Sequence, residues 1–87
     1  MRLTIIKSNG YVSVDGEGYF GIDVTSIDEN IHAIQWYDTY GELEIKNEKG
    51  RIIENVEISS IADYLHIVTL WQAVKDIEVS KEVSKTV

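Results

Sequence analysis

The sequence contains neither cysteine nor proline, only two histidines, and 8 Lys and Arg against 15 Asp and Glu. Each scarcity excludes something. Without cysteine there is no disulfide framework, no thiolate nucleophile and no cysteine-based zinc site, which suits a reducing compartment. A formal charge of −7 disfavours a phosphate backbone as partner, so direct nucleic-acid binding is not expected. Long apolar runs are also missing. The opening stretch Leu3 to Ile6 falls short of the roughly 7–15 apolar residues of a secretory signal. Nothing approaches the ~18 residues of a membrane span. Arg2 after Met1 breaks the myristoylation pattern, and Lys85-Thr86-Val87 is no lipidation box. The sequence predicts a protein that works in the cytoplasm where it is made, without a membrane partner.

What is present is a succession of short alternating segments separated by Gly and Asx turns. At 87 residues the chain makes one small domain with a single core. Leu3-Thr4-Ile5-Ile6 precedes Asn9-Gly10, a strong hairpin signal. Tyr11 to Val14 alternates, Asp15-Gly16-Glu17-Gly18 turns, and Tyr19 to Val24 alternates again with Phe20, Ile22 and Val24 on one side. Ile31 to Tyr37 is the most apolar segment and is expected at the centre of a sheet, with His32 on the Ile34 and Trp36 face. Glu42 to Lys46 reads as a half-buried strand, with Leu43 and Ile45 inward. Arg51 to Ile58 is a weaker strand, and a strand left at a sheet edge could recruit one from another chain. Strands spaced so closely must be mostly antiparallel, because parallel crossovers need a dozen or more residues.

At Ser59-Ser60 the period changes to that of a helix. Ser60 is placed to cap it, with Asp63 as the carboxylate of a capping box. The predicted fold class is therefore α+β: a mostly antiparallel sheet of five or six short strands with one long C-terminal helix packed on it. The domain covers residues 1–79, with strands at about 2–58 and the helix at about 61–79, and residues 80–87 form a flexible tail. On a helical wheel only Ala62, His66, Thr69, Ala73 and Asp76 cluster as a polar arc, of about 80°. The apolar residues spread over much of the remaining circle, diluted by Asp63, Gln72, Lys75 and Glu78, a stripe about twice the ~100° that one sheet needs. That surplus is covered either by a curled sheet or by another molecule. For the second case the interface candidates are Trp71, Leu70, Val74 and Ile77, with Trp71 as the anchor.

Catalytic patterns are missing. Asp15-Gly16-Glu17-Gly18 lacks the third glycine and the lysine of nucleotide-binding loops, and it fails the calcium-loop pattern. His32 and His66 would need carboxylates such as Asp63 to build a metal site, and no metal or other cofactor is expected. Ser59 and Ser60 are accounted for by capping, with no nucleophile elbow. Glu42 and Glu44 lie about 7 Å apart on one strand face, which solvated alternation explains. The expectation is a non-enzyme. Trp36 and Tyr37, being neighbours on a strand, cannot share one face. A displayed Tyr37 and Tyr40 beside Asp38 forms a candidate aromatic patch for a protein or a sugar.

The order of these segments carries a resemblance. Arg-Leu-Thr-Ile-Ile, Val14-Asp15-Gly16, His32-Ala33-Ile34-Gln35-Trp36, Gly41-Glu42-Leu43-Glu44, a helix opening Ile58-Ser59-Ser60-Ile61-Ala62-Asp63-Tyr64 and Leu70-Trp71-Gln72-Ala73 follow one another over residues 1–75. This resembles small, largely uncharacterised proteins of tailed bacteriophages, often encoded among virion or tail genes. Relatives carry proline near Ser26-Ile27-Asp28 and in the early helix, where this chain has none. The resemblance implies a virion- or tail-associated accessory protein in the host bacterial cytoplasm or incorporated into the virion. Its partner would be a virion or tail component, a host protein, or a second copy. It implies no catalytic residues. The competing reading is an acidic phage inhibitor that occupies a basic site on a host protein, in the limit by DNA mimicry. A carbohydrate-binding domain, resting on exposed aromatics alone, is a third.

Overall fold

A computed structural model describes the backbone of residues 1–85 and the side-chain surroundings of residues 1–81. Six strands form one antiparallel sheet: β1 (Arg2–Ile6), β2 (Tyr11–Val14), β3 (Glu17–Tyr19), β4 (Ile31–Tyr37), β5 (Gly41–Lys46) and β6 (Ile52–Ile58). They are arranged in the order β3-β2-β1-β4-β5-β6. A single α-helix, α1 (Leu65–Lys85), follows, so the α+β class read from the sequence is the observed one.

The turns explain the topology. Asp15 and Gly16 both have positive φ, 50° and 89°, and Val14 pairs with Glu17 around them. This is the mirror-image two-residue turn whose twist matches that of the flanking strands. Arg2 and Asp15 close the same corner, the Arg2 N–H donating to Asp15 Oδ1 and the Asp15 N–H to the Arg2 carbonyl, each at 2.8 Å. At the other end of β1, a short 3-10 turn over Lys7–Asn9 stops at Gly10, which is left-handed at φ 65°.

Register builds the core. Leu3 lies between Val14 and Trp36, and Ile5 between Val12 and Ile34. All six of these side chains are buried. β4 carries a bulge between Ile31 and Ala33, so Ile31 pairs with Ile45 while Ile34 pairs with Leu43. The extra residue gives Ile31 the core-facing position three residues before Ile34. This corrects the expectation for His32, which is half-buried and outside the core cluster.

Two further expectations need correction. Tyr19 to Val24 is not one strand: β3 stops at Tyr19, and residues 20–30 are irregular. Ile22, Val24 and Ile27 are buried in the core nonetheless, while Phe20 is 68% exposed and leans on Tyr11 with ring centroids 4.8 Å apart. Asp23 and Asp28 hold this connection through Asx turns, accepting from the N–H groups of Thr25 and Asn30. The helix boundaries also move. Ser60 Oγ accepts from the Ala62 N–H at 3.1 Å, but the turn it opens is 3-10, over Ala62–Tyr64. The α-helix starts at Leu65 and continues to Lys85, past the expected end at 79 and into the expected tail. Thr86 and Val87 lie outside the described residues.

The helix packs chiefly on β2 and β3. Ile67 and Trp71 are buried in the core, with Tyr64, Val68 and Val74 half-buried around them. The result is an asymmetric layer. One end of the sheet is covered by α1 and the centre is closed by residues 22–27. The β5–β6 end extends beyond them in a molecule of 51 × 29 × 18 Å.

Candidate functional site

The interface candidates of the helix separate into two groups. Trp71 is 5% exposed and fully engaged within the molecule. Its indole N–H donates to the Glu17 carbonyl at 2.9 Å, Tyr19 lies 6.2 Å from it ring to ring, and Lys75 Nζ stands 5.2 Å above the ring. Lys75 also pairs with Glu17 at 3.6 Å. Trp71 is therefore an internal anchor and not a surface one, which corrects its expected role. Val74 is half-buried against the core. Leu70 and Ile77 do face outward, and so do Leu65 and Val79, which the wheel did not single out as interface residues. The apolar surplus of the helix is thus left uncovered by the sheet, because β2 and β3 are narrower than the arc that faces them.

The structure does bring Tyr37, Asp38 and Tyr40 together at the β4–β5 turn, where Asp38 and Tyr40 are exposed and Tyr37 is half-buried. Tyr37 and Tyr40 sit 5.2 Å apart with rings tilted by 37°, and Arg2 stacks on Tyr37 at 5.2 Å. Asp38, at φ 83°, accepts from the Met1 amino group at 2.6 Å. That hydrogen bond holds the amine above its ordinary range and, with the opposed charge, the carboxyl below its own. Only Tyr40 offers a largely exposed ring there.

His66 Nε2 and Ser26 Oγ lie 2.7 Å apart, joining the connection to the start of the helix. Burial raises the nearby Tyr64 hydroxyl, and the charges of Asp63 and Asp28 push it the same way. Among the described residues, no group of three or more His, Cys, Asp or Glu side chains converges as a metal site. Open clefts at the turn end of the sheet are lined by mixed charges. One is bounded by Asn47, Glu48, Lys49 and Arg51, and another reaches Lys7, Glu29 and Lys46. No helix among the described residues is long and apolar enough to cross a membrane.

The sequence reading gave β6 little weight, yet it is the most open element. All of its residues but Ile58 are exposed, including Ile52 at 46%, Ile53 at 58% and Val56 at 39%. It ends the sheet, and no other hydrogen bond among the described residues engages its backbone. Its two faces differ. Val56 and Ile58 pair with Leu43 and Gly41 on the side that carries the core. On the other side, Glu57 lies directly opposite Glu42, and Asn55 opposite Glu44. None of Glu42, Glu44, Glu54 and Glu57 forms an ion pair among the described residues. Sequence carried one signal for this exposure: Ile52 and Ile53 are adjacent, and one sheet face cannot bury both.

Comparison with protein families, with curated proteins and with solved structures finds no match for this chain.

Proposed function

We propose that this protein is a non-enzymatic protein-interaction module, a virion- or tail-associated accessory protein of a tailed bacteriophage. It would work in the host bacterial cytoplasm or as part of the particle. The observation that carries this reading is the uncovered apolar surface: Ile52, Ile53 and Val56 at the sheet edge, and Leu65, Leu70, Ile77 and Val79 on the helix. A domain this small gains much from giving such side chains a partner, since its own core is limited. The resemblance of its segment order to phage proteins adds the setting.

A second reading, an acidic inhibitor of a host protein, has its own support. The carboxylates of Glu42, Glu44 and Glu57 share one face of β5 and β6 with no cation paired to them among the described residues. Both readings are tested with a photo-crosslinking residue placed at Ile53 or Ile77 in infected cells, with exposed Glu29 as the control position. The expected result is an adduct with one virion or tail protein from at least one apolar position, and stoichiometric copies of the chain in purified particles. An adduct with a host protein, with the chain absent from particles, favours the inhibitor. Labelling no different from that at Glu29 overturns both.

A further inference from the structure

The two edges of the sheet are treated in opposite ways. β3 is three residues long, and the helix closes it: Trp71 takes the Glu17 carbonyl, and Lys75 pairs with the Glu17 side chain. β6 is seven residues long and has neither lysine nor proline, its charges being Glu54 and Glu57. Proteins commonly blunt a free edge with lysine, proline, a covering loop or a bulge. Here the only irregularity is a register shift between Ile45 and Lys46, at the turn end, which leaves Glu54 to Ile58 in regular pairing with β5. This stretch presents unpaired N–H and C=O groups in the geometry of a ladder.

The side chains say what such a ladder would accept. A strand added beside β6 alternates its side chains between the two faces. On one face it meets Val56 and Ile58, backed by Leu43, and at the far end Glu54 opposite Ile45, so apolar residues suit two of its three positions. On the other it meets Glu57, backed by Glu42, with Glu44 one pair further along, which calls for cations. A second copy of the chain is a poor occupant. Antiparallel pairing of β6 with itself would bring Glu54 and Glu57 of both copies into a few ladder positions, between molecules of charge −7.

We propose that β6 is a strand-acceptor site for an extended segment of another protein, five to seven residues long, in which basic and apolar residues alternate. This rests on the interaction-module reading and specifies the chemistry of its partner. Backbone hydrogen bonds supply attachment, the apolar face covers Val56 and Ile58, and the basic face neutralises the Glu42–Glu57 pair.

The test uses the intact protein, isotopically labelled, and two synthetic peptides, Lys-Val-Lys-Val-Lys-Val-Lys and its acidic counterpart with Glu for Lys. The basic peptide is expected to shift the amide signals of residues 53–58 and slow their hydrogen exchange. Its affinity should fall at least tenfold between 50 and 500 mM salt, and the acidic peptide should bind at least tenfold more weakly. Glu57→Lys, a change at an exposed edge, should weaken the basic peptide several-fold while leaving the amide spectrum of β1 and β4 in place. Equal binding of both peptides, or no binding at millimolar peptide, overturns the proposal. So does a concentration-dependent shift of residues 53–58 without peptide, which would identify a second copy as the occupant. Binding that moves Leu70 and Ile77 instead of β6 also overturns it but leaves the interaction-module reading standing. That reading fails separately, on the crosslinking result.

Discussion

The Trp71 indole N–H donates to the main-chain carbonyl of Glu17 at 2.9 Å, tying the second turn of the helix to the short edge strand β3. The bond joins the helix to the strand at which the sheet ends. It also fixes the helix over β2 and β3, away from the β5–β6 end of the sheet. One side chain thus sets which end of the sheet the helix covers, and β6 lies at the other end.

Replacing Trp71 should separate these roles. Trp71→Phe keeps most of the packing but removes the hydrogen bond to the Glu17 carbonyl, and it should cost about 0.5–1.5 kcal/mol. Trp71→Ala also empties a core position, at about 3–5 kcal/mol. Against a total of order 5–10 kcal/mol for a domain of this size, the alanine variant should be close to unfolding at room temperature. Urea denaturation midpoints check both. A phenylalanine variant as stable as the parent would mean that the hydrogen bond contributes nothing.

Gly41 makes a second demand on packing. A Cβ there would run into the Gln35 carbonyl and come within 2.9 Å of Trp36 Cε3, so the Trp36 ring lies where a side chain would be. Gly50 differs: its φ is 78°, but a Cβ would meet nothing within 4 Å. Gly41→Ala should therefore cost about 1–3 kcal/mol through overpacking of the core. Gly50→Ala should cost about 1 kcal/mol through backbone strain alone. Thermal melts of the two variants run side by side decide this, and the reverse order would place the strain in the turn and not beneath Trp36.

Asp23 gives stability an acid limb. Its carboxylate accepts from the Thr25 hydroxyl at 2.6 Å and from the Thr25 N–H at 3.0 Å, which holds its pKa below the ordinary 3.8. A carboxyl lowered by folding contributes fully above its unfolded-state value, and the contribution is lost as pH falls through the folded-state value. The affected window lies around and below pH 3.8. Stability measured from pH 6 to pH 2 should therefore fall less steeply at the acid end in Asp23→Ala than in the parent. Parallel profiles would show that the turn contributes no pH dependence.

Much of this arrangement was legible in residue order. Asp15-Gly16 marked a turn, Asn9-Gly10 marked the connection of β1 to β2 although only Gly10 takes positive φ there, and Leu43 with Ile45 marked an inward face by alternation alone. The apolar excess of the helix was visible on a wheel, since 3.6-residue periodicity depends on nothing beyond the helix itself. Other features were set by distant partners. The bulge at His32 depends on how β5 pairs with β4. The loss of a ladder after Tyr19 follows from Ile22, Val24 and Ile27 being buried without a strand neighbour. Trp71 looked like an anchor for another molecule because its own partners, Glu17 and Tyr19, lie more than fifty residues away in the chain. The open edge at β6 was the least readable, because no local pattern tells a strand that its helix will lie at the far end of the sheet.

The Glu42–Glu57 pair connects stability to the proposed acceptor role. Like charges placed directly opposite on antiparallel strands destabilise a sheet by roughly 0.2–1 kcal/mol. Glu57→Gln should therefore stabilise the free protein by a few tenths of a kcal/mol. Glu57→Lys should do so somewhat more, by placing a cation across from Glu42. The gain should shrink as salt is raised from 50 to 500 mM, since these side chains are solvent-accessible. Denaturation midpoints at the two salt concentrations test this directly. A loss of stability in Glu57→Gln, or a gain indifferent to salt, would show that repulsion between the two carboxylates is not what their juxtaposition contributes. If the expected gain is found, the unmodified edge keeps a charge arrangement that is unfavourable in isolation and that a cationic strand would relieve.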